Sequence, residues 1–215
     1  MRGAKLNRNV SKHFQESLWL YVVCLFCLFT GIVLGIYTVK YMGETERQDL
    51  INYFLGFKKT IGSEAVNNKS ILIETVKTNV PMIAALWLLG LTIVGIPVIL
   101  VIDIIKGFTL GFTLTFVFYS MSYSGVGFVL MGVLPQNIIY LPCIVIGSVL
   151  AIKLSLAKLK DKLNKQVNYH KNYFLDYSMS FLIIILVMML GFLYEAYITP
   201  RAIQTVAFYA GSVYI

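Results

Sequence analysis

Charge is scarce in this chain: Asp, Glu, Lys and Arg make up 13% of its 215 residues, about half the share of an ordinary soluble domain. With 58% hydrophobic residues and a mean hydropathy of +0.78, it holds more apolar surface than one compact core of this length buries. A soluble globular fold is excluded, and lipid is the solvent for most side chains. Histidine is scarcer still. The only two, His13 and His170, lie in polar stretches. No serine in an apolar run therefore has an imidazole to activate it, which excludes an intramembrane serine protease. The three cysteines, Cys24, Cys27 and Cys143, all sit inside apolar runs. The Cys24–Cys27 pair has no βαβ pattern or ligand cluster around it, so it reads as helix packing rather than a redox, zinc or disulfide site. There is no Gly-rich phosphate loop, no cluster with metal-ligand spacing, and no second aspartate to form a dyad with Asp103. The expectation is a protein with no catalytic residues, no metal and no cofactor.

What is present is a series of long apolar runs. A helix needs about 20 apolar residues to cross the hydrocarbon core. The spacing predicts an all-α polytopic integral membrane protein, one membrane domain over 1–215, with five spans at 18–39, 80–102, 107–124, 138–157 and 177–198. The first run follows a basic start, exceeds a signal-peptide core in length and has no cleavage site after it, so it reads as a retained span. Gly107 to Ile152 is 46 residues without a charge, enough for two spans and short of three. Turn formers around Ser124-Gly125-Val126-Gly127 and Leu134-Pro135-Gln136-Asn137 punctuate it. The reading is a short broken or re-entrant segment at 125–137, tolerated only where protein covers its backbone.

The net charge of +8 follows topology and leaves no basic strip for nucleic acid. With the N-terminus inside, the cytoplasmic segments, including the basic stretch 158–176, hold 11 Lys and Arg against 7 outside. The outer segment 40–79 offsets its six basic residues with Glu44, Glu46, Asp49, Glu64 and Glu74. The positive-inside rule then gives N-in and C-out, with the inner face on anionic lipid headgroups.

Amphipathic pieces flank the spans. Leu6, Val10 and Phe14 recur at helical spacing in the N-terminal arm, and Leu156, Leu159, Leu163 and Val167 continue a stripe beyond the fourth span. Thr199-Pro200 opens a C-terminal stretch too short to cross, read as an interfacial helix. In the outer segment, Leu50, Tyr53, Phe54 and Phe57 belong to a cluster too apolar for a free loop, and rest on lipid, on the bundle or on a partner.

A few residues stand out. Glu195 is a carboxylate near the end of the fifth span, which is costly unless protonated, paired or wetted. It reads either as an interface residue reaching water or as a buried contact to the outer segment or to the Pro135, Gln136 and Asn137 break, whose amides can satisfy orphan backbone groups. Asp103 and Lys106, three apart, read as a mutual pair at a tight inner turn. Gly31-x-x-x-Gly35 and Gly107-x-x-x-Gly111 let helices approach closely, within one chain or in a homodimer.

The order of these features resembles the stage II sporulation protein M family. The residues are Lys77-Thr-Asn79, Gly95-Ile-Pro97, Lys106-Gly107-Phe108-x-x-Gly111-Phe112, Leu134-Pro135-Gln136-Asn137 and Glu195-Ala-Tyr-Ile-Thr-Pro200. Gln136-Asn137 stands where wider relatives often carry His-Gly, which suits the sporulation branch. The resemblance implies a non-enzymatic scaffold of the engulfment machinery, in the septal membrane on the mother-cell side. It would localise two peptidoglycan-degrading enzymes, stage II sporulation proteins P and D. The alternative from the residues alone is a transporter or permease-like subunit with a polar path at the broken helix.

Overall fold

The computed structural model describes the backbone at 2–52, 68–164 and 172–201, and the side chains of those residues except 2–17, 121–125, 128, 163–164 and 172–173. Tyr53, Phe54, Phe57, His170 and the stretch after Arg201 lie outside the described residues. Every element within them is helical: α1 (Arg2–Tyr41), α2 (Asn68–Gly90), α3 (Gly95–Phe128), α4 (Leu134–Asn164) and α5 (Asn172–Leu193), with a further helical segment at 44–52. Five of these helices are long and apolar enough to cross a membrane: Leu18–Tyr41, Asn68–Gly90, Gly95–Ser120, Val129–Lys162 and Phe174–Arg201.

The glycine motifs explain the first pairing. A Cβ at Gly31 would lie 2.8 Å from the Phe108 nitrogen, and one at Gly35 2.6 Å from the Phe112 nitrogen. Added at Gly107 or Gly111, it would strike the Leu28 or Ile32 backbone in return. The two motifs therefore face each other in one chain, and α1 runs parallel to α3 with backbone against backbone. The other pairings alternate in direction. Lys106 of α3 meets Asn79 of α2, Ser148 of α4 meets Asp103 of α3, and Tyr140 of α4 meets Glu195 beyond α5. Cys24, Leu28, Leu86, Ile99, Ile144, Val149, Phe181 and Phe192 form the core. Trp19, Phe26 and Phe29 of α1 and Leu182, Leu186 and Leu190 of α5 are exposed on the outside, a surface that a bilayer solvates.

The first and fifth spans fall within three residues of the expected bounds at each end, and the fourth is longer at both ends. The second and third do not follow the expectation. The helix end falls at Gly90 and the turn at 91–94, so 80–102 is not one span and Asp103 with Lys106 is not a turn. Hydropathy misses this turn because Leu91-Thr92-Ile93-Val94 is itself apolar. The chain punctuation is Gly95 and Pro97, since proline in a first helical turn gives up an N–H that has no partner there anyway. The turn is held by polar side chains from elsewhere. Ser155 Oγ donates to the Thr92 carbonyl at 2.7 Å, Lys158 Nζ to that of Leu91 at 2.8 Å, and the Tyr177 hydroxyl to that of Trp87 at 2.9 Å. These donors satisfy carbonyls a helix C-terminus leaves open, and a cation there complements the helix dipole.

The break expected at 125–137 is a change of helix type. Val129–Val133 is a π-helical turn between α3 and α4, and a second, Tyr194–Ile198, closes α5. π-Helical turns widen the helix and present side chains at an altered angle.

Candidate functional site

Both π-helical turns adjoin one polar cavity. It has a volume of about 210 Å³, is partly open to the outside, and is walled by α2, α3, α4 and the end of α5. Asn79 enters from α2, held by a 3.0 Å bond from its Nδ2 to the Thr75 carbonyl. That bond turns its Oδ1 toward α3, where Lys106 Nζ donates to it at 3.0 Å. From α4 come Gln136, Asn137 and Tyr140. Asn137 Nδ2 donates to the Val133 carbonyl at 2.7 Å, which ties its amide to the π-helical turn. The Tyr140 ring is buried against Phe192 and above Gly191, where any Cβ would collide with it. Its hydroxyl donates to Glu195 Oε2 at 2.7 Å. Thr199, on the next turn, donates to Gln136 Oε1 at 3.4 Å.

The cavity thus holds one ammonium and one carboxylate. Glu195 is the charge that acts on Lys106 across it, yet no ion pair joins the two among the described residues. Each is fixed to a neutral partner on a different wall. A second polar group lies about one turn along α3. Asp103 is fully buried and accepts a 2.7 Å bond from Ser148 Oγ; among the described residues its Oδ2 has no hydrogen-bond partner, and the Cys24 thiol lies beside the carboxyl.

Of the residues singled out in the sequence, Gln136, Asn137 and Glu195 come together here, with Pro135 beside them on α4. The expected contact of Glu195 with the break is made through Tyr140 rather than through the amides. Leu50 is half-buried in the 44–52 helical segment and does not line the cavity. The pairing read between Asp103 and Lys106 is not formed; each bonds to a different helix. Lys106, Asn79 and Tyr140 were not expected as site residues. Gly95-Ile-Pro97, read as a helix start, would have placed Lys106 within a span rather than at a turn.

Five apolar helices, four of which wall a charged cavity, define a polytopic membrane protein. The family model of stage II sporulation protein M matches residues 24–200, and the chain belongs to that family. The match runs through all five spans. No curated protein and no solved structure matches the chain.

Proposed function

We propose that this sporulation-related membrane protein is a non-enzymatic scaffold that localises peptidoglycan-degrading enzymes to the septal membrane during engulfment. The observation that carries the reading is the family match over 24–200. The partners it implies are stage II sporulation proteins P and D. The basic N-terminal arm and the stretch from Lys153 to Lys162 gather at the end of the bundle that carries the 91–94 turn. The positive-inside rule then puts that end in the cytoplasm and the 42–67 segment outside, where membrane-anchored hydrolases would dock. The test is co-purification of the tagged protein with the two hydrolases from membranes. Loss of both on deleting 53–67, with insertion intact, is expected; undiminished recovery overturns the reading.

One observation favours a second reading. The cavity places Lys106, Glu195 and three amides within the bundle, as a permease-like subunit requires of a substrate path. Flux in reconstituted vesicles that disappears on Glu195→Gln would support it, and absence of any flux would remove it.

A further inference from the structure

The second span is the least apolar of the five, and its polarity is one-sided. From Asn68 to Asn79 it carries Lys69, Glu74, Lys77 and Thr78 on exposed positions. Only Val80–Gly90 is uniformly apolar, about 16 Å of helix against a hydrocarbon core of about 30 Å. Asn79, the cavity's anchor on α2, stands at the boundary between the two halves. Water at the polar end of α2 therefore reaches the level of Asn79 and Lys106.

The polar groups around that cavity are arranged in two opposed sets. Lys106 spends one of its three donors on Asn79. Gln136 accepts from Thr199 through Oε1, which leaves its NH₂ to donate. Against these stand acceptors. Glu195 spends Oε2 on Tyr140 and keeps Oε1, and Asn137, having spent Nδ2 on the Val133 carbonyl, keeps Oδ1. Thr109 and Thr113 donate to their own helix and leave oxygen lone pairs toward the space. Opposite charges that face one cavity gain most by direct contact in a low dielectric. Here each is instead drawn to its own wall, with a volume of about 210 Å³ between. Since a water occupies about 30 Å³, that space has room for a molecule of a few heavy atoms.

We propose that the cavity is a binding site for a small zwitterion, with its carboxylate or phosphate on Lys106 and the Gln136 amide N–H₂, and its ammonium on Glu195 and the Asn137 carbonyl. The same chemistry is available from a free zwitterion in the aqueous phase or from the headgroup of a lipid such as phosphatidylethanolamine. The proposal concerns binding and is independent of the scaffold reading and of whether anything crosses the membrane.

The test is calorimetric titration and thermal shift on the full chain in detergent, with O-phosphoethanolamine and β-alanine as zwitterions and with ethanolamine and inorganic phosphate as half-ligands. In parallel, native mass spectrometry reads lipid retained from nanodiscs of phosphatidylethanolamine or of phosphatidylglycerol. The wild type should bind at least one zwitterion at least tenfold more tightly than either half-ligand, and Lys106→Met and Glu195→Gln should each weaken it at least tenfold. Selective retention of phosphatidylethanolamine with no binding of the free probes assigns the site to the headgroup. If phosphate alone matches phosphoethanolamine, or neither the free probes nor phosphatidylethanolamine bind selectively, the proposal is overturned. The half-ligand comparison needs only the wild type, so it stands even where a variant fails to fold.

Discussion

Ser148 and Asp103 are 45 residues apart in sequence and 2.7 Å apart in the bundle, joined by a hydrogen bond that neither exposes to solvent. The bond fixes the register of α4 against α3 at the centre of the protein. Ser148→Ala strips the carboxyl of this donor and should destabilise the protein by about 1–3 kcal/mol. Combining it with Asp103→Val, which replaces both partners by apolar groups, should cost less than the two single losses together. Thermal unfolding of the four proteins in one detergent gives the cycle; additive losses would show that the pair is not coupled.

At the α1–α3 seam no side chain is available to move aside. Gly107→Leu drives atoms into the Leu28 backbone and Gly31→Val into that of Ile104 and Phe108. Either should cost about 3 kcal/mol or more and broaden the monodisperse peak on size exclusion. Gly147→Ala is the control. Its new methyl would meet only side-chain atoms, at 3.7 Å or beyond, and should leave the melting temperature within a degree or two of wild type.

The 91–94 turn depends on donors from α4. Removing two of them with Ser155→Ala and Lys158→Met opens the carbonyls of Leu91 and Thr92, at about 1 kcal/mol for each bond. Hydrogen exchange should rise at the amides of 91–94 and change little in the centre of α3. Unchanged exchange at the turn would mean that Gly95 and Pro97 hold it without help.

Orientation is open to direct labelling. A cysteine at Lys69, exposed at the polar start of α2, should react with a membrane-impermeant maleimide in intact cells. One at Lys160, exposed at the end of α4, should react only after permeabilisation. Cys24 and Cys143 are buried and Cys27 half-buried, which keeps the background low. The reverse pattern would place the basic segments outside.

What could be read from the residues divides by the range of the interaction. The helical class and the number of spans follow from apolar runs, a local property. The glycine seam was half legible: identical small-residue spacing marked both motifs, while their pairing within one chain is a three-dimensional fact. Glu195, Gln136 and Asn137 stood out because a polar group in an apolar run is conspicuous. Lys106 and Asp103 stood out only as a mutual pair, since the true turn, Leu91-Thr92-Ile93-Val94, is mostly apolar and a charge pair next to an assumed turn needs no further explanation. Asn79 was lost to the polar stretch before it, whose residues read as a helix of the outer segment outside the membrane but form the first half of α2.

The seam between α1 and α3 also orders assembly in time. α1 leaves the ribosome before α2 and α3, yet the surface cut to fit it belongs to α3, and it scarcely touches α2. When synthesis has reached Gly90, α1 and α2 lie in the bilayer with almost no interface between them. The groove at Gly31 and Gly35 stays open to lipid, or to any other helix with small residues, until Gly111 has been made and inserted. The protein is therefore most open to mispairing midway through its own synthesis, and α3 is the element whose arrival ends that interval.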